Sequence, residues 1–465
     1  MPLDVHPLDA IVFVFITTLT LVYTIYLCRK HRENELVDYL LFGRKLTLPL
    51  FVTTLVTTWY GDVFGITQIA FKKGIYAVMV YGVGFYLAAV VFMCFFVVKA
   101  RGMSAFSIPD IIEKTYGKIA AKIVSVMVMV RVLPVSYTIG IGLLLKQLFG
   151  WDMDVAMLSG LLFCIGYIGV RGFSGIVYSD AIQFVLMFVS VIMVVVFSFI
   201  EYGGFGYLSE NLDPSYFSIH GGENLSELLV WFFIAVIATF MSPVFYQRCF
   251  AAKSTQVAKY GIFISIICWM FFDFCTITGS MYAKAMTSEA APHEAYFNYA
   301  MNMLPIGFRG VFLSGIAATI LSTLDSFLFI CSATLVYDLL GPKYTLNYVF
   351  KIGALVLIGG VTFFLASHFI DSIDKFYIMM KGYFGVTLAI PLMLTILFGR
   401  IANEVQFLSV IVLTILGMLV NDFILDMPVV RSFYVGSMVS LVGFFIFYVI
   451  NLYCARHKII GRMAK

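Results

Sequence analysis

The 465-residue chain is 62% hydrophobic and only 12% charged, with a formal net charge of +4. Soluble domains carry about twice that charged share, so a soluble enzyme and a nucleic-acid-binding module are excluded and an all-α polytopic membrane protein is expected. The eight cysteines show neither metal-ligand spacing nor a loop framework, and read as reduced core residues.

Stretches of about 20 apolar residues cross a bilayer as helices. About thirteen are expected, at roughly 8–28, 47–71, 75–98, 119–145, 153–170, 176–200, 229–247, 258–283, 311–336, 347–367, 376–399, 405–424 and 431–454. The span at 229–247 is interrupted by Pro243. The first span has basic residues only behind it, which suits a retained helix rather than a cleaved signal. With the N-terminus outside, twenty-one of the 30 basic residues fall on inner segments, Arg248 among them, and seven on outer ones. The positive-inside rule therefore places the C-terminus in the cytoplasm, and a plasma-membrane location is expected.

The second span contains Thr57-Thr58-Trp59-Tyr60-Gly61-Asp62-Val63-Phe64-Gly65. Glycines flanking a mid-span aspartate either let the helix open, exposing carbonyls to a cation, or form a close-packing face; packing alone does not explain Asp62. Trp59 and Tyr60 adjoin the expected break, and Trp59 is a substrate-pocket candidate as well as a packing residue. Ser107 before Pro109 predicts the cap of a short cytoplasmic helix. Arg131 lies near the centre of the fourth span, where its guanidinium either neutralises a buried aspartate or grips an anionic group on a substrate. Asp180, after Ser179, is either an interfacial cap or a cation ligand. Asp273, past the middle of its span, has either cation as a candidate partner.

The run Ala317-Ala318-Thr319-Ile320-Leu321-Ser322-Thr323-Leu324-Asp325-Ser326 carries the most information. Oxygen-bearing side chains at mid-membrane depth need partners that lipid does not supply. Small hydroxyl residues also allow helices to approach closely, but a mid-span carboxylate points to function. A hard cation such as Na⁺ is a natural partner for such oxygens, by analogy with Ca²⁺ and Mg²⁺.

These motifs, in this order, resemble the sodium:solute symporter family. The run Ala318 to Ser326 resembles its eighth core helix. Tyr178-Ser179-Asp180-Ala181-Ile182-Gln183, after the glycine-rich loop Gly172 to Gly175, resembles the start of the fifth. Tyr246-Gln247-Arg248-Cys249-Phe250-Ala251-Ala252-Lys253 resembles the loop after the sixth, and Asp38 to Leu46 the lead-in to the first. The resemblance implies a leucine-transporter-like fold with a 5+5 inverted-repeat core. It divides the chain into 1–46 (extra helix and lead-in), 47–200 (first repeat), 201–228 (extracellular loop), 229–400 (second repeat) and 401–465 (two peripheral helices and tail).

It also implies a sodium site made by the carbonyls of Tyr60, Val63 and Thr319 with the hydroxyls of Ser322 and Thr323. Asp62 matches an aspartate beside that site in the proline-transporter branch. A second sodium site found in some members would here involve Asp180, Asp325 and Ser326, although Asp325 stands where others have a hydroxyl. Tyr60 and Thr319 replace smaller residues, which affects packing more than carbonyl coordination.

The implied function is Na⁺-coupled symport of a small organic solute by alternating access, with one or two coupling ions and a carboxylate-bearing substrate suggested by Arg131. Proton-coupled symport and an uncoupled uniporter or channel are the alternatives. A membrane sensor is disfavoured by the lack of a signalling module after Lys458. No nucleophile–base pair, phosphate-binding loop or ATP-binding domain is present, so neither an enzyme nor a primary pump is expected. The expected partners are the solute and the bilayer, with no nucleic acid and no obligatory protein partner.

Overall fold

The computed structural model describes residues 5–28, 35–287, 291–368, 373–425 and 429–463. Apart from short helices at Leu36–Leu41, Phe205–Asn211, Ala295–Met303 and Pro342–Thr345, its helices are α1 (Pro7–Cys28), α2 (Leu48–Thr57), α3 (Val63–Lys73), α4 (Met79–Gly102), α5 (Ile108–Thr115), α6 (Lys118–Val132), α7 (Val135–Phe149), α8 (Met153–Gly169), α9 (Gly172–Tyr202), α10 (Leu225–Phe240), α11 (Pro243–Ala251), α12 (Thr255–Met286), α13 (Phe308–Leu340), α14 (Tyr348–His368), α15 (Ile373–Phe398), α16 (Glu404–Ile424) and α17 (Val429–Met463). Among the described residues, nine helices are long and apolar enough to cross a membrane, or ten if the bent pair α10–α11 is one span. Shorter apolar helices at Leu48–Thr57, Met153–Gly169 and Gly382–Phe398 coincide with three further expected spans.

Among the described membrane-length helices α13 is the most buried, with 89% of its apolar window inside the protein against 17% for α1. It is therefore the axis around which the other helices pack. Its N-terminus is tied to α1 by Asp9, whose Oδ1 accepts from Gly307 N (2.6 Å) and Gly310 N (3.3 Å). A carboxylate suits this end because the first helical N–H groups have no intrahelical acceptor.

Besides the two-residue interruption at Leu133–Pro134 between α6 and α7, two helices are discontinuous at the first span of each expected repeat. The first breaks between α2 and α3, where residues 58–62 leave the helical path. Gly61 is required there by close approach: a Cβ would lie 2.6 Å from Thr323 Oγ1 and 2.7 Å from Tyr137 Cε1. Gly65 lies within α3, where its missing Cβ leaves room for the Asp62–Tyr81 contact. The second break, at Met241–Ser242, bends α10 against α11 by 42°. Pro243 opens α11, where its missing N–H costs nothing.

Two expectations are corrected here. The segment Tyr246–Lys253 is mostly the helix α11 rather than a loop. The glycine-rich stretch Gly172–Gly175 is a one-residue kink: only Gly172 departs from helical geometry (φ +49°), and a side chain there would strike the Tyr39 ring. The expected cap is present, with Ser107 Oγ accepting from Asp110 N at 3.0 Å.

The lead-in and the end of α11 run side by side. Leu46 N donates to Ala251 O (3.1 Å) and Lys253 N to Leu46 O (2.9 Å). Arg101 Nη1 donates to the carbonyls of Cys249 (2.6 Å) and Ala252 (2.7 Å). The two breaks are thereby held in one register. Gly61→Ala should lower stability by about 1–3 kcal/mol, the usual cost of overpacking, and thermal unfolding of the purified protein reads this directly.

Candidate functional site: two buried oxygen clusters at the helix breaks

The first cluster joins α13 to the end of α2. Thr319, Ser322, Thr323 and Ser326 share one helical face by their three- and four-residue spacing. Ser322 Oγ donates to Thr57 O at 3.0 Å and to Thr319 O at 3.1 Å. Thr323 Oγ1 donates to Thr58 O at 3.2 Å and to Thr319 O at 3.4 Å. Carbonyls at the C-terminal end of a helix have no intrahelical donor and carry the negative end of its dipole. Two hydroxyls and three carbonyls therefore converge without a formal charge, a donor set suited to a small monovalent cation. Among the described residues, no three His, Cys, Asp or Glu side chains gather as a metal-ligand group.

No hydrogen bond joins the Tyr60 or Val63 carbonyl to these hydroxyls among the described residues. The Tyr60 side chain turns to α12, where its OH donates to Trp269 O (2.8 Å) and its ring lies 4.2 Å from that of Phe272. Val63 O accepts from Thr67 Oγ1 at 3.0 Å. The carbonyls that do meet the hydroxyls belong to Thr57 and Thr58. Residue type gives no signal for a carbonyl donor, so only the position of the break reveals them. Asp62 is exposed at the start of α3 and accepts from Tyr81 OH at 3.2 Å.

The second cluster lies one turn further along α13. Asp180, Asp325 and Ser326 are all fully buried. Arg248, on α11, was assigned to an inner segment by sequence, yet its guanidinium is fully buried among them. Its Nη2 donates to Ser326 Oγ (2.7 Å), Thr58 Oγ1 (3.0 Å) and Thr54 Oγ1 (3.1 Å) and lies 3.7 Å from Asp180 Oδ2. Its Nη1 donates to Gln247 Oε1 at 2.8 Å, and the Phe173 ring centroid is 5.0 Å from the guanidinium.

Asp180 Oδ2 also accepts from Thr54, so it is no interfacial cap. Asp325 Oδ2 accepts from Tyr167 and, at 3.5 Å, from Ser179. The sequence signal for Arg248 was available in Pro243, because a break there turns the following helix inward.

The substrate candidates lie elsewhere around the breaks. Trp59 is half-buried, its ring 5.2 Å from Trp269, 5.3 Å from Phe85 and 5.4 Å from Phe245. Arg131 is half-buried in the last turn of α6, with its guanidinium against Gly385 of α15. Asp273 forms no ion pair among the described residues; it accepts from Tyr86. A narrow cleft with about 40 Å³ of space open to water, lined by Ser107, Pro243, Gln247, Thr334, Tyr337 and Asp338 among others, opens beside Arg248's neighbour Gln247.

This architecture is that of a multi-pass membrane protein with a leucine-transporter-like fold, built around discontinuous helices that meet a buried polar helix. The chain belongs to the sodium:solute symporter family, a family of transporters whose model matches residues 39–412. It is 25% identical over 261 residues to a sodium/glucose cotransporter of Vibrio parahaemolyticus, a match covering 48% of each chain. It is 26% identical over 214 residues to the sodium/proline symporter of Escherichia coli K12, covering 42% of this chain and 41% of that one. These matches thus span about half the length of the relatives, or less. The fold is similar to a Na⁺-coupled sialic acid symporter solved in a substrate-bound outward-open state, with a TM-score of 0.81 at 17% identity over 96% of this chain and 98% of that one.

Breaking the buried Arg248–Asp180 pair from one side should be costly, about 3–5 kcal/mol. Arg248→Met and Asp180→Asn should each lower the unfolding temperature, whereas the double variant should recover part of the loss. Strict additivity of the two losses in a double-mutant cycle would contradict the pairing.

Proposed function

We propose that this chain is a Na⁺-coupled symporter of a small organic solute in the plasma membrane, with its N-terminus outside. The observation that carries this reading is the five-oxygen cluster of Thr57, Thr58, Thr319, Ser322 and Thr323. Na⁺ is the co-transported ion, and the hydroxyls need only turn their protons away to present lone pairs to it. Tyr60 and Val63 remain ligand candidates for a conformation in which the break is displaced along α13. Sodium at this joint ties the broken helix to α13 and so favours the solute-binding conformation. By linkage, solute must raise Na⁺ affinity by the same factor.

The inverted repeats, 47–200 and 229–400, would rock about the two breaks, and the cleft beside Gln247 is the exit candidate. A carboxylate on the solute would meet Arg131, with Trp59 lining the pocket. Na⁺ and solute are the ligands, the bilayer is the surrounding partner, and no enzymatic step is invoked.

A single coupled Na⁺ is favoured, because the guanidinium of Arg248 already fills the position between Asp180 and Ser326 where a second ion would sit. A second reading rests on charge: two buried carboxylates share one guanidinium, which leaves Asp325 to be balanced by a proton or another Na⁺.

Uptake into proteoliposomes separates these. Solute should accumulate against its gradient only when Na⁺ is outside, with a Hill coefficient near one for Na⁺, and Ser322→Ala/Thr323→Ala should reduce it at least tenfold. Full uptake in Na⁺-free buffer driven by a pH gradient would replace sodium by proton coupling. Flux without accumulation would make the protein a uniporter or channel.

A further inference from the structure

The buried carboxylate the sodium joint leaves unused is Asp273, on α12. It is 2% exposed, and among the described residues no Lys, Arg or His forms an ion pair with it. Its Oδ2 accepts from Tyr86 of α4, and the Tyr60 hydroxyl lies beside the same carboxylate. Its Oδ1 has no hydrogen-bond partner. One helical turn earlier, Trp269 is 1% exposed and its indole Nε1–H also lacks a partner. Residues four apart lie on the same helical face, so α12 presents an unused acceptor and an unused donor side by side. That face meets the break between α2 and α3, since Tyr60 and Trp59 both touch it.

The surroundings are aromatic. Trp59 lies between Trp269, Phe85 and Phe245, and Tyr60 lies tilted against Phe272. Aromatic faces attract cations, most strongly when water is excluded. A lone carboxylate at membrane depth is costly without a counter-charge. A protonated amine answers both conditions: it donates to Asp273 Oδ1 while lying against the indole rings. Trp59 is the half-buried member of the group and Trp269 the fully buried one, so Trp59 forms its more accessible side.

We propose that Asp273, with Trp59 and Trp269, binds a protonated amine on the transported solute. This rests on the symporter reading, because it takes the break in the first core helix as the transport site. It narrows the solute from any small organic molecule to one bearing a primary or secondary amine.

The experiment is a thermal-shift titration of the full-length protein at saturating Na⁺. The probes are the common amino acids, the amines left by their decarboxylation and the carboxylic acids left by their deamination. At least one amine-bearing probe should stabilise the protein, and its deaminated counterpart should bind at least tenfold more weakly. Asp273→Asn should lose the amine response while keeping the shift produced by Na⁺ alone.

Equal binding of an amine and its deaminated counterpart, no response to any amine-bearing probe, or an undiminished amine response in Asp273→Asn would each overturn the proposal. The comparison of probes uses the unaltered protein, so it decides the matter even if the variant does not fold. Loss of the Na⁺ shift in the unaltered protein would instead defeat the symporter reading.

Discussion

The structure depends on a joint between two helices. The end of α2 exposes carbonyls with no intrahelical donor, and α13 offers two hydroxyls whose acceptor on their own helix is the single carbonyl of Thr319. Ser322 on Thr57 and Thr323 on Thr58 close the joint. Each of these hydrogen bonds is individually modest. A set of hydroxyls and carbonyls that closes on itself in one state and on a cation in another gives an ion a means of shifting the balance between states. An ion with equal affinity for both states would shift nothing.

Beside that joint, the charge is arranged to be held internally. Arg248 reaches the interior because Pro243 ends α10 and turns α11 inward, and the pairing of Leu46 with Ala251 and Lys253 fixes the turn. Its guanidinium then links three helices through Thr54, Thr58 and Ser326. Buried ion pairs are weak as sources of stability but costly to break, which suits a pivot better than a glue. The same network touches Thr58, whose carbonyl accepts from Thr323, so the two clusters are mechanically continuous.

Much of this was legible in the sequence. The polar run in an apolar span located α13, and the Gly61–Asp62–Gly65 pattern located the break. The less legible parts have physical reasons. A backbone carbonyl leaves no trace in residue type, so the sequence did not single out Thr57 and Thr58, whose carbonyls the α13 hydroxyls meet. Hydropathy placed Arg248 outside the core, because the expected span 229–247 stops one residue short of it, whereas the helix after Pro243 runs on to Ala251. The lone carboxylate of Asp273 was visible, but only the packing of α12 against α3, α4 and the break showed that aromatic rings rather than a basic residue surround it.

The central claim is that hydroxyls of α13 and backbone oxygens of the interrupted helix together hold one sodium ion. Equilibrium binding of radioactive Na⁺ to the purified protein, without solute, tests it most directly. The account predicts saturable binding at one site, weakened at least tenfold, or by about 1.4 kcal/mol, in Ser322→Ala/Thr323→Ala. Binding of unchanged affinity and stoichiometry in that double variant would contradict it.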